Sequence, residues 1–127
     1  MFLGRIADYT TVAGVAVPFA SVINSNARTI NNAGVVSIRK PGYYIVDADL
    51  TVTGVAGDIV ATIYVDGVAT PVTATASLTA ATDFANLSIS DAVRVAFSQF
   101  PDVATISVVI DTAGVVVDGS FRVFALE

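Results

Sequence analysis

GVVSIRKPGYYIVDADLTVT, residues 34–53, carries the clearest strand pattern in this chain. It predicts two β-strands separated by Lys40-Pro41-Gly42, because proline presets its own φ and glycine tolerates a positive φ. After this turn, the residues of one parity are all apolar and share one face of a strand: Tyr44, Val46, Ala48, Leu50 and Val52. The residues of the other parity are mixed: Tyr43, Ile45, Asp47, Asp49, Thr51 and Thr53. We expect the apolar face to enter the core and the mixed face to contact another copy of the chain.

The composition of the chain predicts an oligomer. Its 127 residues are enough for one domain with a substantial core. Of these residues 54% are hydrophobic and only 13% are charged, about half the usual charged share. Such a chain either spans a membrane or covers much of its surface with copies of itself. The longest stretch without charge, residues 9–27, contains Gly14, Pro18 and several polar residues, so it predicts no spanning helix.

Several classes of function are disfavoured by the residues that the sequence lacks. There is no cysteine for disulfide or thiolate chemistry, and no histidine, the commonest general base and transition-metal ligand. The net charge is −5 and the six basic residues are scattered, which argues against a nucleic-acid surface. The first eleven residues, MFLGRIADYTT, have no sustained apolar segment and predict no secretory signal. If Met1 is the natural start, we expect a protein made inside the cell, with no nucleic-acid or membrane partner.

The spacing of turn signals predicts an all-β fold. No stretch sustains the 3.6-residue period of a helix, and turn signals recur every eight to twelve residues between eight to ten short strands. This pattern is typical of a β-sandwich or barrel. Asp66-Gly67 is the strongest hairpin signal, and Asp118-Gly119 predicts a further turn. Residues 15–23 resemble a strand that Pro18 confines to a sheet edge or a bulge.

The predicted strands fall into two classes. The segments 58–65, 73–80 and 103–110 have a polar outer face, whereas 43–53, 92–97 and 120–126 are apolar on both sides. We therefore expect one ordinary sheet and one sheet whose outer face packs against other copies. The predicted interface residues are Tyr43, Ile45, Asp47, Asp49, Arg94, Arg122, Phe124 and Leu126.

The chain resembles the superfamily of trimeric jelly rolls that includes tumour necrosis factor and the complement globular heads. It is most similar to bacterial and phage members, such as the head of the exosporium collagen-like glycoprotein of spore formers. The matching segments follow the family's order between residues 15 and 127: Val17-Pro18-Phe19, Pro41-Gly42-Tyr43-Tyr44-Ile45-Val46, Ile63-Tyr64-Val65-Asp66-Gly67-Val68 and Gly119-Ser120-Phe121-Arg122-Val123-Phe124-Ala125-Leu126. The resemblance implies a ten-strand antiparallel jelly-roll sandwich that assembles as a homotrimer. It also implies that the first, third and last strands lie in the sheet at the threefold axis.

The chain departs from the animal and spore relatives in having neither a Gly-x-y collagen repeat nor an expected secretory signal. A trimeric head of this kind resembles phage virion proteins. The resemblance therefore implies a non-enzymatic structural protein of a phage virion surface, as a head decoration, head fibre or tail tip, made in the host cytoplasm. The alternative is a ligand- or carbohydrate-binding head of a bacterial or spore surface protein. Its candidate contact residues are the loop aromatics Phe84 and Phe100.

Residues 1–14 are predicted to form an N-terminal arm outside the jelly-roll domain of residues 15–127. The arm contains apolar residues that a free tail would not normally carry: Phe2, Leu3, Ile6 and Tyr9. Our hypothesis is that they anchor the trimer to a capsid or tail protein. The competing interpretation is that the arm pairs as an edge strand within its own trimer.

Asp47 and Asp49 share one strand face, and the type of site that they form is open. In a trimer, carboxylates near the axis would suit Ca²⁺, which prefers oxygen ligands. Alternatively, they form ion pairs with Arg94 and Arg122, because buried carboxylates are usually paired. A glycosidase pair is a third interpretation, disfavoured because tryptophan is absent and the aromatics do not cluster. With no histidine, cysteine or nucleophile motif, we predict no catalytic residue, no metal and no cofactor.

Overall fold

The computed structural model describes residues 1–24, 29–95 and 104–126. The end of the predicted strand 92–97, Phe100 and Glu127 therefore lie outside the described residues. Within the described part the chain forms ten β-strands: β1 (Phe2–Thr10), β2 (Ala20–Asn24), β3 (Thr29–Asn32), β4 (Val35–Ile38), β5 (Gly42–Thr53), β6 (Gly57–Val65), β7 (Val68–Leu78), β8 (Ala85–Val95), β9 (Ala104–Ile110) and β10 (Val116–Leu126). No helix among these residues is long and apolar enough to cross a membrane.

The strands form two five-stranded sheets. The first sheet has the order β2-β1-β10-β5-β8, and the second has the order β3-β4-β9-β6-β7. All strand pairs are antiparallel, so the predicted ten-strand antiparallel sandwich is confirmed. The predicted division of strands between the sheets is confirmed as well. The described parts of the segments predicted to be apolar on both sides, 43–53, 92–95 and 120–126, lie in β5, β8 and β10 of the first sheet, and the segments predicted to have a polar outer face lie in the second.

The core lies between the two sheets and is built from alternate residues of each strand. On β5 the predicted inward residues are all buried: Tyr44, Val46, Ala48, Leu50 and Val52. They face buried residues of the second sheet: Ile59, Ala61, Ile63, Ile106, Val108 and Ile110. The hydroxyl of Tyr44 donates a hydrogen bond to the carbonyl oxygen of Lys40 at 2.7 Å. This bond satisfies a polar atom that the ring carries into the core.

The residues before β2 do not form the strand that was predicted for 15–23. Of the predicted strand 15–23, only Ala20–Asn24 belongs to β2. The residues before it lie along β9, where Ala16 bridges Val109 and the Val17 N–H donates to the Val108 carbonyl at 2.9 Å. On the outer side of β9, Ser107 and Val109 are buried too. The polar outer face predicted for 103–110 is therefore not solvated at these two positions.

Two hairpins have the turn chemistry that their sequences predict. Asp66-Gly67 joins β6 to β7, and both residues have positive φ, 53° and 75°. This is the requirement of a two-residue type I′ turn, which matches the twist of the flanking strands. Ala33-Gly34 joins β3 to β4 in the same way, with φ of 50° and 85°.

Asp118-Gly119, by contrast, is not a turn, and that prediction is wrong. Both residues lie inside β10, which pairs with β1 on one side and β5 on the other. A Cβ atom on Gly119 would lie 2.1 Å from the carbonyl oxygen of Asp49, and the φ of Gly119 is 151°. Glycine is present here because the backbone of β5 approaches closely. Opposite it, β1 shifts register between Ile6 and Tyr9, and the N–H of the bulged Asp8 donates to Asp118 Oδ1 at 3.0 Å.

The prediction that residues 1–14 form an arm outside the core is wrong. Residues 2–10 form β1, which is hydrogen-bonded between β2 and β10 of the same chain. Phe2 is 0% exposed, and its ring meets that of Phe121 edge-to-face at a centroid distance of 6.0 Å. With a neighbour on each side, β1 is not an edge strand either. The boundary at residue 14 therefore does not separate two structural units.

We expect Phe2→Ala to destabilise the protein by about 3–5 kcal/mol, because it opens a cavity in the core. The matched control is Phe84→Ala, since Phe84 is 71% exposed and its truncation is expected to cost about 0.5 kcal/mol or less. Urea unfolding at one fixed protein concentration measures both values, because the stability of an oligomer depends on concentration. Equal losses would contradict the placement of β1 inside the sandwich.

We expect Gly119→Ala to cost more than about 4 kcal/mol, because its methyl group would overlap the Asp49 carbonyl in the centre of the first sheet. Gly67→Ala is the control. Gly67 also has positive φ, but a Cβ atom added there would meet no other atom within 4 Å, so only the backbone strain of roughly 1–2 kcal/mol applies. Thermal unfolding followed by circular dichroism compares the two variants. A Gly119→Ala variant as stable as Gly67→Ala would show that β5 and β10 are further apart than described.

Candidate functional site

The predicted interface residues come together on the outer face of the first sheet. The register places Leu126 opposite Tyr43, and Phe124 opposite Ile45, on β10 and β5. Arg122 lies opposite Asp47 in the same ladder, while Arg94 lies opposite Tyr43 on β8. Each of these residues alternates with a buried one, so all of them point away from the core. The sequence pattern thus identified one continuous surface, and its use as a subunit contact remains a prediction.

This outer face divides into an apolar half and a polar half. The apolar half consists of Leu3, Tyr43, Ile45, Phe124 and Leu126. Tyr43 is 55% exposed and Leu126 57% exposed, whereas Ile45 and Phe124 are partly covered by their neighbours. The polar half lies further along the same strands and consists of Asp49, Thr51, Asn86, Ser88 and Ser120. Apolar side chains that lie together at the surface on one side of a sheet are typical of an interaction site.

An ion pair separates the two halves. The Nη2 atom of Arg122 lies 2.7 Å from Oδ2 of Asp47, and the guanidinium carbon lies 5.5 Å from the ring centroid of Phe124. The side chains are 47% and 23% exposed, and an ion pair at such a surface contributes only about 0–1 kcal/mol to stability. Its consequence is local neutrality, because each charge already has its partner within the same chain.

Within the single chain the two aspartates have different partners. Asp47 pairs with Arg122, as one of the alternatives predicted. Asp49 instead accepts a hydrogen bond from the hydroxyl of Ser88, with an O–O distance of 2.7 Å. Arg94 lies opposite Tyr43, four residues along β5 from Asp47, so it does not pair with either aspartate. Among the residues that the structure describes, no group of three or more Asp, Glu, His or Cys side chains is arranged to hold a metal ion.

The outer face of the second sheet has a different chemistry. On its edge strand β7, Thr73, Thr75 and Ser77 are exposed and alternate with residues directed toward the core. Ser77 donates a hydrogen bond to Asp58 of the neighbouring strand. The polar outer face predicted for 73–80 is therefore rich in exposed hydroxyl groups, and it serves as the internal comparison for the apolar half of the first sheet.

The predicted anchor residues are divided between the core and the surface. Phe2 is fully buried, and Ile6 and Tyr9 pack against the core cluster. Only Leu3 lies on the outer face, opposite Arg122. The sequence did not reveal this division because the bulge at Asp8 changes the parity of β1 after Ile6, which hides the alternation of a strand.

The two ends of the sandwich carry different segments. One end, which we call the terminal end, holds Met1, residues 39–41, the Asp66-Gly67 turn and Leu126. Both ends of the described chain lie there because Phe2 pairs with Val123 and Tyr43 pairs with Leu126. The loop end holds residues 11–15, 54–56, 79–84 and 111–115. Backbone hydrogen bonds tie these loops together in pairs, from Gly114 to Thr11 at 3.0 Å and from Gly54 to Ala81 at 3.0 Å.

The sequence did not predict a pocket in the polar half of the outer face. It measures about 250 Å³ and lies between β5 and β8, lined by Asp49, Leu50, Thr51, Asn86, Leu87 and Ser88. The Thr51 hydroxyl donates to Oδ1 of Asn86 at 3.1 Å, beside the bond from Ser88 to Asp49. In the sequence, Asn86-Leu87-Ser88 matches an Asn-x-Ser glycosylation sequon, which we attribute to chance in a chain with no expected secretory signal, and it does not predict a pocket. The register that brings it beside Asp49 and Thr51 is a tertiary property.

No protein-family model and no curated protein sequence matches this chain. Solved structures do. Murine APRIL at pH 5.0 aligns with a TM-score of 0.69 at 10% identity, covering 95% of this chain and 98% of that one. Eiger TNF from S. frugiperda aligns with a TM-score of 0.68 at 14% identity, covering 99% and 86%. PRD1 vertex protein P5 aligns with a TM-score of 0.56 at 14% identity, covering 94% and 93%. The chain therefore has the TNF-like jelly-roll fold, and the predicted fold class is confirmed.

Proposed function

We propose that this chain is a non-enzymatic structural protein of a phage virion surface that assembles as a homotrimer. Within that class it would serve as a head decoration, a head fibre or a tail tip. The observation that carries the proposal is the apolar half of the outer face, where Tyr43 and Leu126 are more than half exposed in the single chain. A second copy is the occupant that this surface fits best.

The chemistry of the outer face favours contact between copies of the same chain. Burying its apolar side chains contributes about 25 cal/mol per Å² removed from water. The ion pair at its centre does not oppose this, because Arg122 and Asp47 already neutralise each other within one chain. Isolated charges at the same place would make burial costly. Arg94, opposite Tyr43, must keep its charge in solvent at the edge of the contact. A threefold arrangement of the three copies is what the resemblance to trimeric jelly rolls implies.

The virion location is supported by the similarity to PRD1 vertex protein P5, whose name places it at a particle vertex. The similarity extends over nearly all of both chains, so it concerns the whole sandwich rather than a fragment. The charged content of only 13% also fits a protein with much of its surface covered in an assembly.

Attachment to a capsid or tail protein is the second part of the proposal, and the structure changes the residues involved. Phe2, Ile6 and Tyr9 support the core and are not free to dock onto a partner. We place the contact at the terminal end, where Met1, Arg39 and Lys40 are exposed outside the apolar half. In a trimer three such ends act together, so contacts that are individually weak add through effective concentration.

We expect Phe124→Asp to disrupt assembly and Thr75→Asp to leave it intact. The first variant introduces an additional carboxylate into each apolar contact, beside an Arg122 that Asp47 already neutralises, and burying such an excess charge costs several kcal/mol per ion. The second adds a charge to a solvated strand face, with an effect of about 0.5 kcal/mol or less. Sedimentation velocity at matched concentrations reports the size of both. If both variants keep the size of the unmodified protein, or both lose it, the outer face of the first sheet is not the subunit contact.

We expect the protein to co-purify with virus particles from its source. Quantitative mass spectrometry of density-gradient fractions should find it with the major capsid protein, in a copy number divisible by three. Substituting Arg39 and Lys40 together with glutamate should release the trimer from the particle without changing its size, since both residues lie at the terminal end. A protein that sediments apart from all particles would remove the virion proposal.

A further inference from the structure

The pocket in the polar half of the outer face has hydrogen-bonding groups that are oriented but unused. Oδ1 of Asn86 accepts a bond from Thr51, which fixes the amide, and its NH₂ group has no partner among the described residues. Oδ1 of Asp49 accepts a bond from Ser88, which fixes the carboxylate, and its Oδ2 has no partner in the same part of the chain. Both side chains are exposed, so the unused atoms face the solvent. The pocket therefore offers a charged acceptor and an amide donor side by side.

This combination matches the hydrogen-bonding pattern of a polyol. A hydroxyl group donates one hydrogen bond and accepts others, so two adjacent hydroxyls pair with a carboxylate and an amide NH₂ at once. An apolar ligand would leave the same groups without partners, which is costly. A divalent cation such as Ca²⁺ takes six to eight oxygen ligands, and the pocket supplies a single carboxylate. The volume of about 250 Å³ lies just below the roughly 300–1,000 Å³ of drug-sized sites, which suits a ligand of one ring.

An exposed aromatic residue lies close to this pocket along the chain. Phe84 immediately precedes β8 and is two residues from Asn86, a separation of roughly 6–7 Å along an extended chain. At 71% it is the most exposed large hydrophobic residue in the described part of the chain. The loop that carries it is held in place, since the hydroxyl of Thr53 donates to the carbonyl oxygen of Asp83 at 2.6 Å. Binding sites commonly combine such an apolar surface with a few placed polar groups.

We propose that the pocket formed by Asp49, Thr51, Asn86 and Ser88 binds one residue of a neutral saccharide. Its hydroxyls pair with the carboxylate of Asp49 and the amide of Asn86, and its apolar C–H face packs on Phe84. The groups are preorganised by the bonds from Ser88 and Thr51, which lowers the entropic cost of binding. The inference rests on the proposed function in one respect: it confines the subunit contact to the apolar half of the outer face, so that Asp49 serves the pocket and not the interface for which the sequence predicted it. A trimer with three such pockets would bind a repeating polysaccharide with avidity.

The test is a titration of the isotopically labelled, full-length protein with four methyl glycosides, those of glucose, galactose, N-acetylglucosamine and rhamnose. Amide NMR reports directly on the Asn86 side chain and on the backbone of Thr51 and Ser88. We expect at least one glycoside to shift these signals in a saturable way. Asn86→Ala, Asp49→Asn and Phe84→Ala should each weaken binding about tenfold or more, because each removes one class of contact.

Two control variants make comparable substitutions outside the pocket. Thr75→Ala removes a hydroxyl from the second sheet, and Val68→Ala removes an exposed apolar group at the terminal end. Both should leave the affinity unchanged. If the pocket variants and the controls weaken binding equally, the sugar binds elsewhere and the assignment fails.

Two other outcomes would overturn the proposal. The first is the absence of saturable shifts with all four glycosides at roughly 100 mM, well above the millimolar range of weak binding. The second is that Ca²⁺ alone shifts the Asn86 and Asp49 signals while the glycosides do not, which would make the pocket a cation site. Measuring the molecular mass of the protein in the same sample distinguishes a failure of the saccharide site from a failure of the proposed function. A trimer that binds no glycoside contradicts the saccharide site alone, and a monomer that binds one contradicts the trimer alone.

Discussion

The structure depends on β5, which is hydrogen-bonded to β10 on one side and to β8 on the other. One of its faces lies in the core and the other lies on the outer surface. Its ladders with β10 and β8 run along nearly the whole strand, from Tyr43 to Thr53 on one side and from Gly42 to Val52 on the other. The inward residues fill the core, and the outward residues form the centre of the outer face. Because a strand alternates strictly, a shift of one residue would exchange the two sets and expose the core. The apolar core therefore also fixes which residues reach the outer face.

A second constraint is the close approach of β10 to β5 at Gly119. The backbone of β5 occupies the space that any side chain there would need. The bulge of β1 at Asp8 lies opposite the same place. It changes the parity of the strand, so that Tyr9 packs against the core as Phe2 and Ile6 do.

Much of the fold was predictable because strand alternation and glycine-containing turns are local properties. The inward face of β5, the Asp66-Gly67 hairpin and the division of strands between two sheets all followed from residue spacing. The failures have a common physical cause. Asp118-Gly119 has the composition of a turn, but its glycine serves a tertiary contact. Residues 2–10 lack a clear alternation because of a bulge, and the pocket residues become neighbours only through the register of β5 with β8.

The central claim is that the apolar half of the outer face is covered by other copies of this chain. In the single chain, Tyr43, Phe124 and Leu126 lie together on that surface around a neutral ion pair, whereas the second sheet presents hydroxyl groups. The most direct measurement is the mass in solution, by light scattering coupled to gel filtration at micromolar concentration. The account predicts about three times the 13.0 kDa of the chain. A stable, soluble species with the mass of one chain would contradict it.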